Sequence, residues 1–562
     1  MKAGLVLASG LLAACGGGDA YVVITVETRP AVVGATALRV TLANGGATLT
    51  NDLPLAGHAF PVTFSVSSPA ATGGLVVDIS ALDANQLLVG HGVVTADLAT
   101  AAASVTLDTA DFVVNTEFPM DQYLSDDFEA TGTQLAATGD GTWIAGFRDD
   151  CNTACNLYAR RFGATGQPVD TVVGAGANQF NITTVLTNFL STPTAAAAMT
   201  KTVLLWDSHD NTTAPATDGI SCRPLDATGT AAAAETLVAA ELGTDVVAAV
   251  GLANGNFAVS WNSENATTST LQVRGVIIKP DCSPVGAPIT LSPTTGTVPA
   301  HRAHVGTSGN TLLYAWISGG DVHVRGATTS NVTTTADTVL VAHASTLDAQ
   351  HVRVVPLGAA GYAVIVRWYS DFDESVPGKI EMYRVSTAGA AMGGPTLVTD
   401  KSGSDFASQF AASVATRADG AILVTWHGCA ANGDGQGCGV FGRVLRPSGA
   451  PVGDAFPIPT TTLGNQANPS TLALADSFVV AWNDASALAP DISGLAVRAR
   501  IIYPPFDDAK SISGATCGAG LPPCNDGLVC APGTDGSRCY AACDGTNICP
   551  AGGTCTSGGC AF

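Results

Sequence analysis

The apolar positions of this chain fall into two successive patterns. Between residues 20 and 115 lie about seven short, β-branched runs: YVVITVET, TALRVTL, ATLTN, PVTFSVSS, LVVDISAL, QLLVGHGVV and ASVTLDT. Turn residues such as Asn44, Gly45 and Gly46 separate them. Short runs at this spacing are strands, and seven of them predict an antiparallel, immunoglobulin-like β-sandwich over 20–115. The segment has neither Cys nor Trp, so the signature of a true immunoglobulin domain is missing and a stalk or spacer role is expected.

From 116 to 508 a longer repeat takes over. Apolar runs end at Phe147, Trp206, Trp261, Trp316, Trp368, Trp426 and Trp482, with successive separations of 59, 55, 55, 52, 58 and 56 residues. A second run follows each anchor and carries an arginine: Arg160, Arg223, Arg274, Arg325, Arg384, Arg443 and Arg498. One further run precedes each anchor and another follows the next turn, which makes four strands per copy. A period of 50 to 60 residues with four strands and one aromatic anchor defines a β-propeller blade. Each blade is covered on both faces by its neighbours, which explains why the anchor strands are nearly continuous apolar runs. The expected architecture is all-β: a sandwich, then a seven-bladed propeller. The segment NTEFPMD at 115–121 resembles the outer-strand run DAFPIPT and is expected to complete the last blade and close the ring.

The anchoring tryptophans are expected in blade-to-blade packing and not as a sugar-stacking platform, because they end apolar strands. The recurrent arginines are read as inter-blade hydrogen-bonding groups. Aligned on the anchors, His301, His351, Gln409 and Asn468 fall near the starts of the channel-lining strands, with Asp245 close to the same level. They are the candidate ligand-binding ring. His301 and His304, three apart on a strand, should point to opposite faces and make a poor metal pair. The acidic loops around Asp207, Asp371 and Asp434 lack the spaced calcium-loop pattern, so no metal and no cofactor is expected. Neither a G-x-S-x-G nor an H-E-x-x-H motif occurs, and no catalytic residue is assigned.

The cysteines place the chain in an oxidising compartment. Cys151 with Cys155, and Cys429 with Cys438, flank the same hairpin in different blades and are expected to form local bridges. Cys222 and Cys282 fall in blades two and three, where a bridge between neighbours is open. Eight more, Cys517, Cys524, Cys530, Cys539, Cys543, Cys549, Cys555 and Cys560, crowd the last 46 residues amid Gly, Pro and Asp. So few apolar residues cannot make a core, and residues 515–562 are expected to be a disulfide module of undetermined connectivity.

Composition adds an exclusion. With 24 basic against 46 acidic residues the net charge is −22, which repels phosphate backbones, so no nucleic-acid partner is expected. The N-terminus reads MKAGLVLASGLLAAC: one charge at Lys2, an apolar run too short to span a bilayer, and small residues before Cys15. Leu12, Ala13, Ala14 and Cys15 resemble the lipobox of bacterial lipoproteins. The resemblance implies that residues 1–15 are a signal peptide, that Cys15 carries the acyl chains, and that Gly16 favours the outer membrane. The segments SFVVAW, LYARRF and GAPVG resemble a family of bacterial extracellular propeller-like repeats, which implies a fold and a surface location but no transferable catalytic motif. The Cys-rich end resembles small modules appended to exported bacterial proteins.

The reading is a non-catalytic, lipid-anchored surface protein for adhesion or binding of a protein or glycan through its propeller. Two alternatives stand beside it: a propeller enzyme acting on extracellular polysaccharide, and a scaffold of an envelope complex.

Overall fold

The computed structural model describes residues 20–503, apart from 45–46, 69–73, 98–101, 116–120, 126–131, 139, 150–155, 170–179, 184–188, 211–216, 227–231, 242, 266–267, 293–298, 331, 344–346, 359–360, 370–377, 400–408, 430–433, 435–436 and 493. Beyond 503 it describes the backbone of two short hairpins. Every element is a strand; among the described residues there is no helix.

Seven N-terminal strands, β1 (Ala20–Thr28), β2 (Ala37–Asn44), β3 (Ala47–Pro54), β4 (Val62–Ser68), β5 (Gly74–Leu82), β6 (Leu88–Asp97) and β7 (Ala102–Thr109), are hydrogen-bonded in the order β3-β2-β5-β6-β7-β1-β4. Alternate residues of all seven meet in one core, among them Ile24, Val40, Leu53, Phe64, Val77, Ala96 and Leu107. The sequence expectation of a wholly antiparallel arrangement is corrected at one place, since β1 runs parallel to β7 from Val23↔Ala102 to Thr28↔Leu107. Parallel neighbours need a long crossover, and here the five intervening strands supply it.

Residues beyond β7 form seven blades, five of four strands and two, blades 1 and 2, that carry one additional short strand on the second strand. In six of them the chain supplies inner, second, third and outer strands in sequence. The seventh takes its inner strand from Gln466–Ala473, its second from Phe478–Asp484, its third from Ala496–Ile502, and its outer strand from β8 (Phe112–Val113), which pairs with Arg498 and Ala499. The ring is thus closed by a segment just ahead of the expected 115–121. Phe112 and Val114 carry the apolar side chains that the joint buries between the third strand of blade 7 and Trp143 of blade 1. The inner strands touch one another all the way round, which makes them the wall of the central channel.

Packing follows the expected logic. All seven tryptophans are buried, none more than 4% exposed, and the second strand of blade 6 (Ile422–Gly428) is buried at every residue. Trp261 packs with blade 2 residues and Trp316 with blade 3 residues, so an anchor faces the preceding blade. The arginine joint recurs in five blades. Arg160, Arg223, Arg325, Arg443 and Arg500 each donate through an Nη to a backbone carbonyl on the outer side of the preceding blade, at Val114, Ile182 (2.6 Å), Leu291 (2.8 Å), Val398 (3.0 Å) and Ile458 (2.7 Å).

Three arginines depart from the expectation. In blade 7 the joint is made by Arg500, opposite Val480, and not by Arg498, which stands opposite Trp482. Arg498 Nε donates instead to the buried Asp484 at 2.7 Å. Arg274 likewise stands opposite its anchor, Trp261, and pairs with Glu241 at 2.9 Å. Arg384 lies further along its strand and bonds Met392 O at 3.2 Å. A shift of two residues keeps a side chain on the same face but moves it along the seam to a different partner.

Two disulfides are present among the described residues. Cys222–Cys282 joins blades 2 and 3 across 60 residues, and Cys429–Cys438 links the end of the second strand of blade 6 to the start of its third. The pair Cys151 and Cys155 lies outside the described residues. In the C-terminal hairpins, Leu528–Gly533 pairs with Gly536–Ala541 and Thr554–Thr556 with Gly559–Ala561, setting Cys530 opposite Cys539 and Cys555 opposite Cys560.

Candidate functional site

The five residues predicted as a ring do occupy the heads of inner strands, but not one level. Five inner strands carry a bulge of one extra residue near their start, next to the anchor of the second strand. Asp245 and His301 lie before the bulge, opposite Asn262 and Ile317. Gln409 lies one residue further out, opposite Gly428. Asn468 sits within its bulge at φ 53°, and His351 lies beyond its own, opposite Arg367. Asn468 and His351 are buried, whereas Asp245 and His301 are half-buried. The same bulge overturns the face argument for two histidines. His301 and His304 pair with Ile317 and Ala315, two apart on one strand, so they share a face despite their spacing of three.

Most of the buried polar side chains at this level join blades. Thr194 Oγ1 donates to Val247 O at 2.7 Å, and His304 Nδ1 accepts from Val354 N at 3.2 Å. Ser413 Oγ accepts from Thr471 N at 3.0 Å, and Ser470 Oγ accepts from Gln134 N at 3.1 Å. In each case the second partner belongs to the inner strand of the next blade. A second set uses the residue just after the anchor. Arg148 donates to Leu190 O at 2.7 Å, Asp207 accepts from Thr244 Oγ1, His427 Nδ1 accepts from Asn468 N at 3.1 Å, and Asn483 Oδ1 accepts from Leu124 N at 2.7 Å. Asn468 and Asn483 also donate to Ser125 O, at 3.4 and 2.8 Å.

Burial sets the protonation of these histidines. Desolvation first, and then the Arg367 guanidinium, hold His427 down to about 3. His304 is also held well below the ordinary imidazole value, by burial and then by Arg353. Both rings are neutral and act as fixed acceptors at Nδ1. The sequence reading missed this second set, although the signal was present: the residue after the anchor is polar in Arg148, Asp207, Asn262, His427 and Asn483.

On the same end of the propeller, Asp321, the first residue of the third strand of blade 4, and His343, in the connection that follows the outer strand of that blade, form an imidazole–carboxylate pair. His343 Nδ1 lies 2.6 Å from Asp321 Oδ1, which also accepts the His343 backbone N–H at 2.8 Å. The hydrogen bond to Asp321 raises the His343 pKa against the effect of burial. Burial pushes Asp321 up, but the backbone and side-chain hydrogen bonds from His343 outweigh it and leave the carboxyl below its ordinary value. Among the described residues no group of three or more His, Cys, Asp or Glu side chains is placed to hold a metal. A cavity of about 60 Å³ lies far from this face, between the N-terminal strands and the propeller, lined by Val33, Leu88, Thr109, Asp111, Gly166 and Ile501. Its volume fits a few waters at most.

The sheet topology defines the class: this is a seven-bladed β-propeller protein with an N-terminal β-sheet unit. No family model matches the sequence, and no curated protein does. Among solved structures the chain is similar to a Hadza microbial sialidase, at 10% identity and a TM-score of 0.38, covering 75% of this chain and 92% of that one. It is similar to the Penicillium chrysogenum alpha-L-arabinanase complexed with arabinobiose, at 10% identity and a TM-score of 0.37, covering 70% and 98%. The β-propeller domain of Myceliophteria thermophila Cps50 gives 10% identity and 0.38, covering 69% and 99%. Likeness of this size carries no functional argument.

Proposed function

We propose that the protein is a non-catalytic, lipid-anchored surface protein whose propeller is a rigid platform for binding a protein or glycan. One observation carries this reading: the buried polar residues at the channel-mouth level are used to join blades. What differs between blades, and can therefore read a partner, is the set of connections on that face, such as the hairpin stapled by Cys429–Cys438. A staple that restrains a loop lowers the entropy lost when the loop is ordered on binding. In this reading Cys15 bears the lipid in the outer membrane. The N-terminal strands fold over their common core as a sandwich stalk, and the opposed Cys530/Cys539 and Cys555/Cys560 are cross-strand bridges of the C-terminal module.

The test has two arms. Labelled palmitate should enter the chain, and Cys15→Ala should move it to the soluble fraction; a variant that stays on the membrane sinks the anchor. Binding of the purified protein to glycan arrays and to intact cells should fall when the 429–438 hairpin is replaced by a two-residue turn, with the unfolding temperature otherwise kept. A second reading, an enzyme acting on polysaccharide, draws on the His343–Asp321 pair alone. Measured polysaccharide turnover that disappears in His343→Ala would replace the binding reading.

A further inference from the structure

The N-terminal sheet ends in two strands that are finished differently. β3 is guarded: it pairs with β2, its Asp52 is bound by Arg39 at 2.8 Å, and it stops at Pro54. A charge and a proline both keep a sheet edge from adding another strand. β4, at the other end, pairs with β1 from Val26↔Val62 to Ala20↔Ser68 and with no other strand among the described residues. It has neither device. From Leu53 to Val77 the chain carries no Asp, Glu, Lys or Arg, in a protein whose net charge is −22, and no proline falls between Val62 and Ser68.

Half of the backbone N–H and C=O groups of β4 point away from β1, and they make no hydrogen bond to another described residue. Such a row of alternating donors and acceptors is matched by one chemistry, another polypeptide backbone in extended form. Beside the row the sheet is open. Leu42 of β2, Leu49 and Leu53 of β3, and Phe64 and Val66 of β4 line a largely apolar cavity of about 20 Å³ between the two terminal strands. That volume takes one small apolar group. Phe64 and Val66 face the core while Ser65 between them is exposed, so an added strand would continue the alternation and turn every second side chain toward the opening.

We propose that the outer edge of β4 takes up an extended segment of a partner protein, with small apolar residues at alternate positions, as an added strand of the N-terminal sheet. The uncharged edge and apolar opening exclude a segment that would turn an acidic or basic side chain inward. A second copy of this chain fits less well, because its own β4 has already buried Val62, Phe64 and Val66 in its core, and two chains of net charge −22 repel. The edge belongs to the N-terminal unit, so its ligand is independent of anything bound at the propeller mouth.

The probe is a capped peptide of alternating valine and threonine, seven residues to match β4 with a lysine added at each end, titrated into the purified full-length protein by calorimetry. Binding should saturate at one peptide per chain, and amide hydrogen exchange should slow in Val62–Ser68. The same peptide N-methylated along its core keeps the side chains but loses the backbone donors, and should bind at least tenfold more weakly. Ser65→Lys, which puts a charge on the exposed side of the edge, should also weaken binding at least tenfold. Thr95→Lys, on the solvent face of the interior strand β6, should leave it unchanged. No saturable binding at millimolar peptide, equal binding of the N-methylated form, or binding of full strength in Ser65→Lys would overturn the proposal. Self-association in sedimentation equilibrium that Ser65→Lys abolishes would assign the edge to a second copy and overturn it as well.

Discussion

The seam between blades 7 and 1 and the seam between blades 3 and 4 face the same packing problem and meet it differently. At the first, Asn115 accepts from Val497 N at 2.7 Å and donates to Asp491 at 2.7 Å and to Gln122, while Asn468, Asn483 and Ser470 hold residues 124, 125 and 134. Beside it, buried Asp484 accepts from Arg498, Gln466 and Ser486. At the second, the cover is apolar: Leu252, Ala258, Val273, Ile277 and Leu291 pack against Ala303, Val305, Leu312, Tyr314 and Trp316. There Ser260 Oγ and Asn262 Oδ1 are buried with no hydrogen-bond partner. Chain continuity explains the contrast. Blades 3 and 4 are consecutive in sequence, so closing them together costs little entropy; blades 7 and 1 are brought together from opposite ends of the propeller. Directional polar contacts fix the register of the joint that the chain does not enforce.

The largest effect should come from removing the clasp. A variant beginning at residue 116 lacks β8 and the side chains of Phe112, Val113 and Val114, which at about 2 kcal/mol for each side chain amounts to roughly 6 kcal/mol. Calorimetry should show a lower unfolding temperature and loss of a single cooperative transition. An unchanged transition would mean that the ring is held by the other seams.

Next is Asp484→Ala. It leaves the Arg498 charge buried without its carboxylate, and breaking such a pair costs about 3–5 kcal/mol. Urea unfolding of this variant should report that loss, whereas Asn262→Ala in the apolar seam should cost much less.

A smaller effect depends on pH. His427 titrates at about 3 when folded, and an unfolded imidazole near 6.5. Between those values the unfolded state binds a proton that the folded state refuses, so stability is complete above about 6.5 and declines as pH falls, by roughly 1.4 kcal/mol per unit for each such group. His304 acts in the same direction. Unfolding free energies at pH 7, 6 and 5 should fall less steeply in His427→Gln by about one proton's worth. Equal slopes in the two proteins would mean that His427 is charged in the fold.

How far the sequence carried depended on what kind of signal a feature left. The blades were legible because Trp206 to Trp482 recur at a nearly fixed interval and must all be covered. The Cys222–Cys282 link was legible as a pair in adjacent blades. The ring of ligand residues was not, because alignment on the anchors cannot register the one-residue bulges that put His351 and Asn468 at different depths and turn His301 and His304 to the same face. Nor did an arginine in every third strand distinguish Arg500, which bridges blades, from Arg498, which lies two residues away and binds Asp484. Such positions differ by register, and register is set by pairing partners that are distant in sequence.

The finest test of the two seams is one substitution made in each. Ser470→Ala removes the acceptor of the Gln134 N–H at the 7–1 seam and leaves that donor buried, which should cost about 1–3 kcal/mol. Ser260→Ala removes a hydroxyl that is fully buried and has no partner, with nothing stranded by its loss. It should be neutral or stabilise by up to about 1 kcal/mol, because a desolvated hydroxyl without a bond is itself unfavourable. Equilibrium unfolding of both variants gives the difference directly. Equal losses would mean that the Ser260 hydroxyl is satisfied in solution by a bound water, and that the apolar seam is stitched by solvent as the closing seam is by side chains.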